Sequence, residues 1–125
     1  MKLLRRVLLT ILAAMLVAVG GFVAWANTPA RPSPAALAAM KTTAGAKVAA
    51  DAAGRLIFEP VGAATGVGLI LYPGARIDPR AYAPVARSIA EQGSVVLIVP
   101  MVLHLAVLSP GRAQDVMEAY PDIRT

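Results

Sequence analysis

The chain has 125 residues, enough for one small domain, and a formal net charge of +5. Three of its twelve basic residues lie in the first six positions, and no basic stripe with interleaved aromatic residues follows residue 27, so we expect no nucleic-acid partner. The absence of cysteine excludes disulfides, thiol nucleophiles and cysteine-based metal sites.

The N-terminal segment is apolar over residues 7–26, VLLTILAAMLVAVGGFVAWA, twenty residues without a charge. Such a stretch is about long enough to cross the hydrocarbon core of a bilayer as a helix. Ala24-Trp25-Ala26 also fits the small-x-small pattern of a signal-peptide cleavage site, and Gly20-Gly21 would end a shorter apolar region. The length favours an uncleaved anchor, and cleavage after Ala26, which would give a secreted protein, is the alternative. In both cases the basic end stays in the cytoplasm and the rest crosses the membrane.

The next part of the chain, residues 27–45, reads as a linker with a short helix. Its first eight residues, NTPARPSP, contain three prolines, and the alanine-rich stretch 35–41 predicts the helix. Residues 46–51 and 55–60 then predict two short strands joined as a hairpin.

Two later stretches, 67–72 (VGLILY) and 94–101 (SVVLIVPM), are apolar without alternation. This pattern is typical of strands covered on both faces, as in a parallel sheet. The helical pattern between them makes a right-handed βαβ unit, and a further helix is predicted at 110–119.

The helix between the two strands is predicted to begin near Ala83, after a turn at 78–82. Pro84 would otherwise interrupt the helix, whereas the first helical position accepts proline. Gly93 is expected at the position just after the C-terminus of this helix, where glycine is common. The spacing predicts a buried face formed by Tyr82, Val85, Ala86, Ile89 and Ala90.

No residue of the chain is in a recognisable catalytic setting, and no metal or cofactor is expected. The serines lie outside any Gly-x-Ser-x-Gly turn and are interpreted as caps, linker or surface residues.

His104 lacks a neighbouring nucleophile, acid or further ligand and is interpreted as a packed or hydrogen-bonded loop residue. Asp78 is interpreted as a cap or turn residue. The remaining acids form no recognisable pair, and Asp115 and Glu118 are expected on a solvated helix face. The serines are Ser33, Ser88, Ser94 and Ser109; the other acids are Asp51, Glu59, Glu91 and Asp122.

Two glycine-containing loops differ in their order relative to a strand. GAATGVG (62–68) precedes a strand, whereas a phosphate-binding loop follows one, so we discard a dinucleotide site. YPGAR (72–76) follows a buried strand and leads into a helix, which is where α/β folds place their sites. Backbone N–H groups in such a loop can stabilise an oxyanion, although an ordinary turn that needs Gly74 explains the local sequence as well.

Residues 66–101 and 105–123, with the anchor-and-linker junction at 22–40, resemble the α/β-hydrolase superfamily, in particular its small bacterial membrane-anchored or secreted fold-5 type. The resemblance implies that 67–72 is the third strand of the sheet and 94–101 the fourth. It also implies that Gly74 makes the turn while Ala75, or a residue near it, gives an oxyanion-hole N–H.

In that superfamily the next strand ends in the Gly-x-Ser-x-Gly nucleophile turn, with the acid and the histidine later in the chain. The sequence stops before that strand, so the resemblance implies an N-terminal fragment of a membrane-anchored hydrolase, from a shortened or frameshifted reading frame. The whole enzyme would cleave ester-like or other small acyl substrates by serine attack, whereas this chain alone would be inactive. A non-catalytic, membrane-tethered binding or scaffold protein is the alternative.

The expected architecture is therefore a partial α/β-hydrolase sheet over residues 46–125, with an N-terminal hairpin and a parallel βαβ unit, preceded by a transmembrane or signal helix at 1–26. In the superfamily's strand order the third strand has the fifth as its second neighbour. Without that neighbour, the apolar third strand becomes an open sheet edge.

We therefore predict that residues 27–125 alone are poorly stable or need a partner. Thermal unfolding followed by circular dichroism should be broad, because an open apolar edge and incomplete helix cover favour association over a single folded state. A sharp cooperative melt from a monomer would contradict this prediction.

Overall fold

The computed structural model describes residues 1–124. The helices are α1 (Lys2–Ala26), α2 (Pro34–Ala38), α3 (Ala83–Ala90) and α4 (Arg112–Ala119). The strands are β1 (Ala46–Ala50), β2 (Leu56–Pro60), β3 (Gly68–Leu71) and β4 (Val95–Ile98). Short 3-10 helices lie at Pro79–Tyr82, Val102–His104 and Ala106–Leu108.

The helix α1 runs without interruption through Gly20-Gly21 and leaves its side chains exposed, except for Ala26 at its end. Asn27 caps the end of this helix, and its side-chain amide donates to the Val23 carbonyl at 3.0 Å. Length and composition suffice for this helix to cross a membrane, and signal sequences share both properties.

The four strands form one mixed sheet in the order β1-β2-β4-β3. The hairpin β1–β2 is antiparallel, with Ala46 opposite Pro60, and β2 continues antiparallel onto β4. Strands β3 and β4 are parallel, with Gly68 opposite Val95, and α3 connects them. The predicted hairpin and parallel βαβ unit are both confirmed, as part of an α/β fold.

Alternating side chains of the central strands divide the core between the two faces of the sheet. Phe58, Val96 and Ile98 pack on the α3 side. Ile57 and Leu97 pack on the other side, against Val116 of α4 and their neighbours. The sheet therefore lies between α3 and α4, and all of β4 except Val95 is fully buried.

Strand β3 is less covered than its sequence predicts. It forms one edge of the sheet, and Leu69 remains 39% exposed. Near the start of this edge, Gly68 N–H donates to the Arg124 carbonyl at 2.7 Å, and Arg124 N–H donates to the Gly66 carbonyl at 3.1 Å. This is a parallel pairing between Val67 and Arg124. A single parallel bridge thus lies next to the start of β3, on the side away from β4.

The predicted turn and start of α3 are confirmed: a 3-10 turn spans Pro79–Tyr82, and α3 begins at Ala83 with Pro84 in its first turn. Gly93, with φ +99°, follows the helix. The predicted buried face is partly wrong, because Val85 is 49% exposed while Ala83 is fully buried. The alanines at 83, 86 and 90 face the sheet because only small side chains let α3 approach it closely.

A polar cluster formed by Asp51, Arg55 and Tyr120 joins the hairpin turn to the end of α4, although the sequence showed no pair for Asp51. One Asp51 carboxylate oxygen accepts from Arg55 Nε at 2.5 Å and from the Tyr120 hydroxyl at 3.1 Å. The other accepts from the backbone N–H groups of Ala53 and Arg55, both at 2.9 Å. Burial raises the pKa of Asp51, but these hydrogen bonds outweigh burial and lower the pKa overall.

This cluster predicts a pH dependence of stability. Because the pKa of Asp51 is lower in the folded chain than in the unfolded chain, its contribution is complete above the unfolded value of about 3.9 and is lost as the pH falls through the folded value. In urea unfolding of the detergent-solubilised chain, Asp51→Asn should cost about 1–2 kcal/mol at pH 7 and less at pH 3. Asp122→Asn is the matched control, because Asp122 is exposed. Parallel pH profiles for D51N and the unmodified chain would contradict the prediction.

Candidate functional site

The loops after β3 and β4 lie at the same edge of the sheet, because the two strands are parallel. The first, which we call the 72–78 loop, holds the predicted site residues Gly74 and Ala75. The second, which we call the 102–108 segment, contains two 3-10 turns. Arg76 N–H donates to the His104 carbonyl at 2.8 Å and joins the two.

Gly74 is held closely by its surroundings. Its N–H donates to the Tyr82 hydroxyl at 3.0 Å, and a Cβ added there would lie 3.1 Å from Ile77 Cδ1 and 3.3 Å from the Tyr82 hydroxyl oxygen. The Gly74 carbonyl accepts from Ile77 N–H at 3.1 Å, which closes a four-residue turn. A larger residue would therefore force Ile77 or Tyr82 to shift by a few tenths of an ångström, and the Gly74 N–H already has an acceptor.

Ala75 occupies the second position of that turn and is exposed. Within residues 1–124 its N–H donates to no acceptor. The third position, Arg76, has φ +56°. A positive φ at the third position after a negative one at the second is typical of a type II turn, whose second N–H points outward. The geometry suits Ala75 as a donor to a bound group; that role stays a prediction.

Arg76 connects the 72–78 loop to the end of α1. Its Nε donates to the Trp25 carbonyl at 3.0 Å, and its Nη2 donates to the Thr28 carbonyl at 2.8 Å. The guanidinium carbon lies 4.4 Å from the centre of the Trp25 ring, a cation–π contact. The Arg76 carbonyl accepts from Ala30 N–H at 2.7 Å. These contacts hold a non-glycine residue in the left-handed region, which is otherwise unfavourable.

Sequence reasoning missed this contact, since no local pattern connects Arg76 with Trp25 across 51 positions. Within residues 1–124, the other two non-glycine residues with a positive φ are Leu103 and His104, in the facing segment. Backbone strain therefore concentrates where the two loops and the helix end meet, as it does at functional sites of other proteins.

Asp78 caps the 3-10 turn, which confirms its predicted role. Its Oδ1 accepts from Arg80 N–H at 2.9 Å, and its Oδ2 lies 2.6 Å from Arg80 Nη2. The side-chain hydrogen bond from Arg80 is the main reason why the pKa of Asp78 is lowered; the Arg80 backbone N–H and charge lower it further, and burial opposes them.

His104 is a packed loop residue, as expected. Its Nδ1 is buried without a hydrogen-bond partner within residues 1–124, and its backbone carbonyl holds Arg76. In the part of the chain that the structure describes, no serine hydroxyl hydrogen-bonds to it, so no triad forms there. The described residues also include no group of three or more histidine, aspartate or glutamate side chains arranged to hold a metal ion.

The serines are mostly as predicted. Ser33 caps α2 by accepting from Ala36 N–H at 3.1 Å, Ser88 is exposed, and Ser94 is half-buried within 3.2 Å of the Thr65 hydroxyl. The interpretation of Ser109 was wrong. It is only 5% exposed, and its hydroxyl accepts from Val102 N–H at 3.1 Å, which closes the 102–108 segment on itself.

The fold and these loops define a chain of the α/β class, with its candidate site at the carboxyl ends of parallel strands. Residues 68–125 match the alpha/beta hydrolase family, which confirms the predicted relationship to the α/β-hydrolase superfamily over that part of the chain. No curated protein and no solved structure shows a significant match to the chain.

We predict that Arg76→Ala loosens the end of α1 from the 72–78 loop. Trp25 is the only tryptophan, so its fluorescence reports this contact directly. Loss of the cation–π contact and two hydrogen bonds to carbonyls should cost about 1–3 kcal/mol locally and increase acrylamide quenching of Trp25 in the detergent-solubilised chain. Arg80→Ala removes a neighbouring arginine that pairs only with Asp78 and should leave the quenching unchanged. Equal quenching in both variants would show that Arg76 does not hold the end of α1.

Proposed function

We propose that this chain forms the N-terminal part of a membrane-anchored α/β hydrolase that cleaves ester-like or other acyl substrates. In this proposal α1 is the anchor, and the 72–78 loop supplies one half of an oxyanion hole. The nucleophile, acid and histidine come from sequence beyond the 125 residues, which contain no Gly-x-Ser-x-Gly.

The observation that carries the proposal is the uncommitted backbone N–H of Ala75. It is exposed at the carboxyl ends of the parallel strands β3 and β4, next to a glycine whose own N–H donates to the Tyr82 hydroxyl. An oxyanion donor must be fixed in place before the negative charge develops, and it must have no competing acceptor. The Ala75 N–H meets both requirements in a part of the chain that matches a hydrolase family.

The pairing of Arg124 with the edge of β3 supports a continuation of the sheet. Arg124 forms a single parallel bridge with Val67, just before the strand that leads into the 72–78 loop. A parallel strand added there would end at the same edge as this loop, so a nucleophile at its tip would face Ala75.

Activity measurements test the proposal in two steps. The purified chain alone should release no product from p-nitrophenyl esters above the buffer blank, because it lacks a nucleophile. The coding DNA beyond codon 125 should encode, in some frame, a strand followed by Gly-x-Ser-x-Gly. Turnover by the chain itself, or DNA without that pattern, would favour a non-catalytic tethered protein or a different chemistry.

Ala75→Pro, made in the whole reading frame, tests the donor. Proline removes the N–H but suits the second position of a type II turn, so the loop should keep its shape. Losing one oxyanion donor should lower kcat by about 10²–10³. Ala75→Gly keeps the N–H and should retain most of the activity. Similar kcat values for A75P and A75G would show that the donor lies elsewhere.

A further inference from the structure

The 102–108 segment exposes apolar side chains beside the end of α1. Val107 is 82% exposed, Leu108 47% and Val102 45%, and the segment contains no acidic, lysine or arginine residue. Its first turn, Val102–His104, contacts α1. Apolar side chains grouped in this way on a loop mark a surface that something else covers.

The position of α1 indicates what covers that surface. Residues 7–26 rise about 30 Å as a helix, the thickness of a bilayer's hydrocarbon core. Trp25 therefore falls at the boundary, where tryptophan is enriched in membrane proteins. Arg76 Nε donates to the Trp25 carbonyl at 3.0 Å, and the Arg76 backbone N–H donates to the His104 carbonyl at 2.8 Å. The 102–108 segment therefore lies next to this boundary.

The charge around the helix end agrees with such a position. A cleft of about 500 Å³ lies next to the exit of α1 and is lined by Asn27, Thr28 and Arg31, among others. Arg31 is exposed. At a membrane surface this arginine would attract anionic headgroups, and the cleft's other charged residues, Asp78 and Arg80, pair with each other.

We propose that the 102–108 segment inserts Val102, Val107 and Leu108 into the headgroup region of the bilayer that α1 spans. This inference rests on the proposed anchor. It places the 72–78 loop at the membrane surface, so that the acyl substrate of the whole enzyme is an amphiphile that reaches the site from the bilayer. Burial of the exposed parts of the three side chains favours this arrangement, since each is apolar and remains 45–82% exposed.

The chain contains no cysteine, so single-cysteine variants can be labelled cleanly. Val107→Cys places an environment-sensitive NBD fluorophore on the 102–108 segment. Val61→Cys is the matched control. Val61 is also exposed, at 55%, but it follows Pro60, at the end of the sheet where β4 begins, away from the 102–108 segment. Both full-length variants are reconstituted into vesicles of phosphatidylcholine and phosphatidylglycerol, with nitroxide lipids labelled near the headgroup or deep in the acyl chain.

The V107C label should emit at shorter wavelength than the V61C label. Shallow nitroxide lipids should quench it several-fold more strongly than deep ones, whereas the V61C label should be quenched by aqueous iodide instead. Leu108→Cys repeats the measurement, in case V107C fails to fold. Vesicle flotation separates the two levels of the proposal. Protein that floats but shows aqueous labels at 107 and 108 overturns the inference alone, and protein that does not float overturns the anchor as well.

Discussion

The arrangement of this chain depends on the contacts that the Arg76 guanidinium makes. It binds carbonyls of Trp25 and Thr28 and stacks on the Trp25 ring, while the Arg76 backbone binds Ala30 and His104. One residue thus joins the end of α1, the linker and both loops at the carboxyl edge of the sheet. Arginine suits this position because its planar group can donate several hydrogen bonds and stack at the same time.

The parallel pairing of β3 and β4 explains why these parts meet. Parallel strands bring their carboxyl ends to one edge, so two loops separated by more than twenty residues become neighbours there. Each loop is closed by its own contact: the Gly74–Ile77 hydrogen bond in the first and the Ser109 hydroxyl in the second. Arg76 then has two preformed surfaces to bridge, which lowers the entropy lost in forming the bridge.

The features that the sequence predicted are those that depend on local patterns. Continuous apolar runs predicted β3 and β4, and Pro84 predicted where α3 begins, because both signals act within a few residues. The errors came from packing. Val85 fits a helical period, yet close approach of α3 to the sheet favours Ala83, and Ser109 is buried by a loop whose path the sequence does not specify.

The distinction between local sequence patterns and tertiary packing also applies to the candidate site. The order strand, glycine, helix predicted a site at the 72–78 loop, and the resemblance implied a turn at Gly74 and a donor N–H at or near Ala75. The structure adds two local constraints: Tyr82 accepts the Gly74 N–H, and Arg76 adopts a positive φ. Both constraints come from outside the turn: Tyr82 is positioned by the 3-10 turn before α3, and Arg76 by the end of α1. The direction of the Ala75 N–H is therefore set jointly by the sheet domain and by the helix that we propose as an anchor. In the role that we propose for Ala75, a donor fixed in this way would need no reorganisation when negative charge develops beside it, which is the condition under which such donors contribute most.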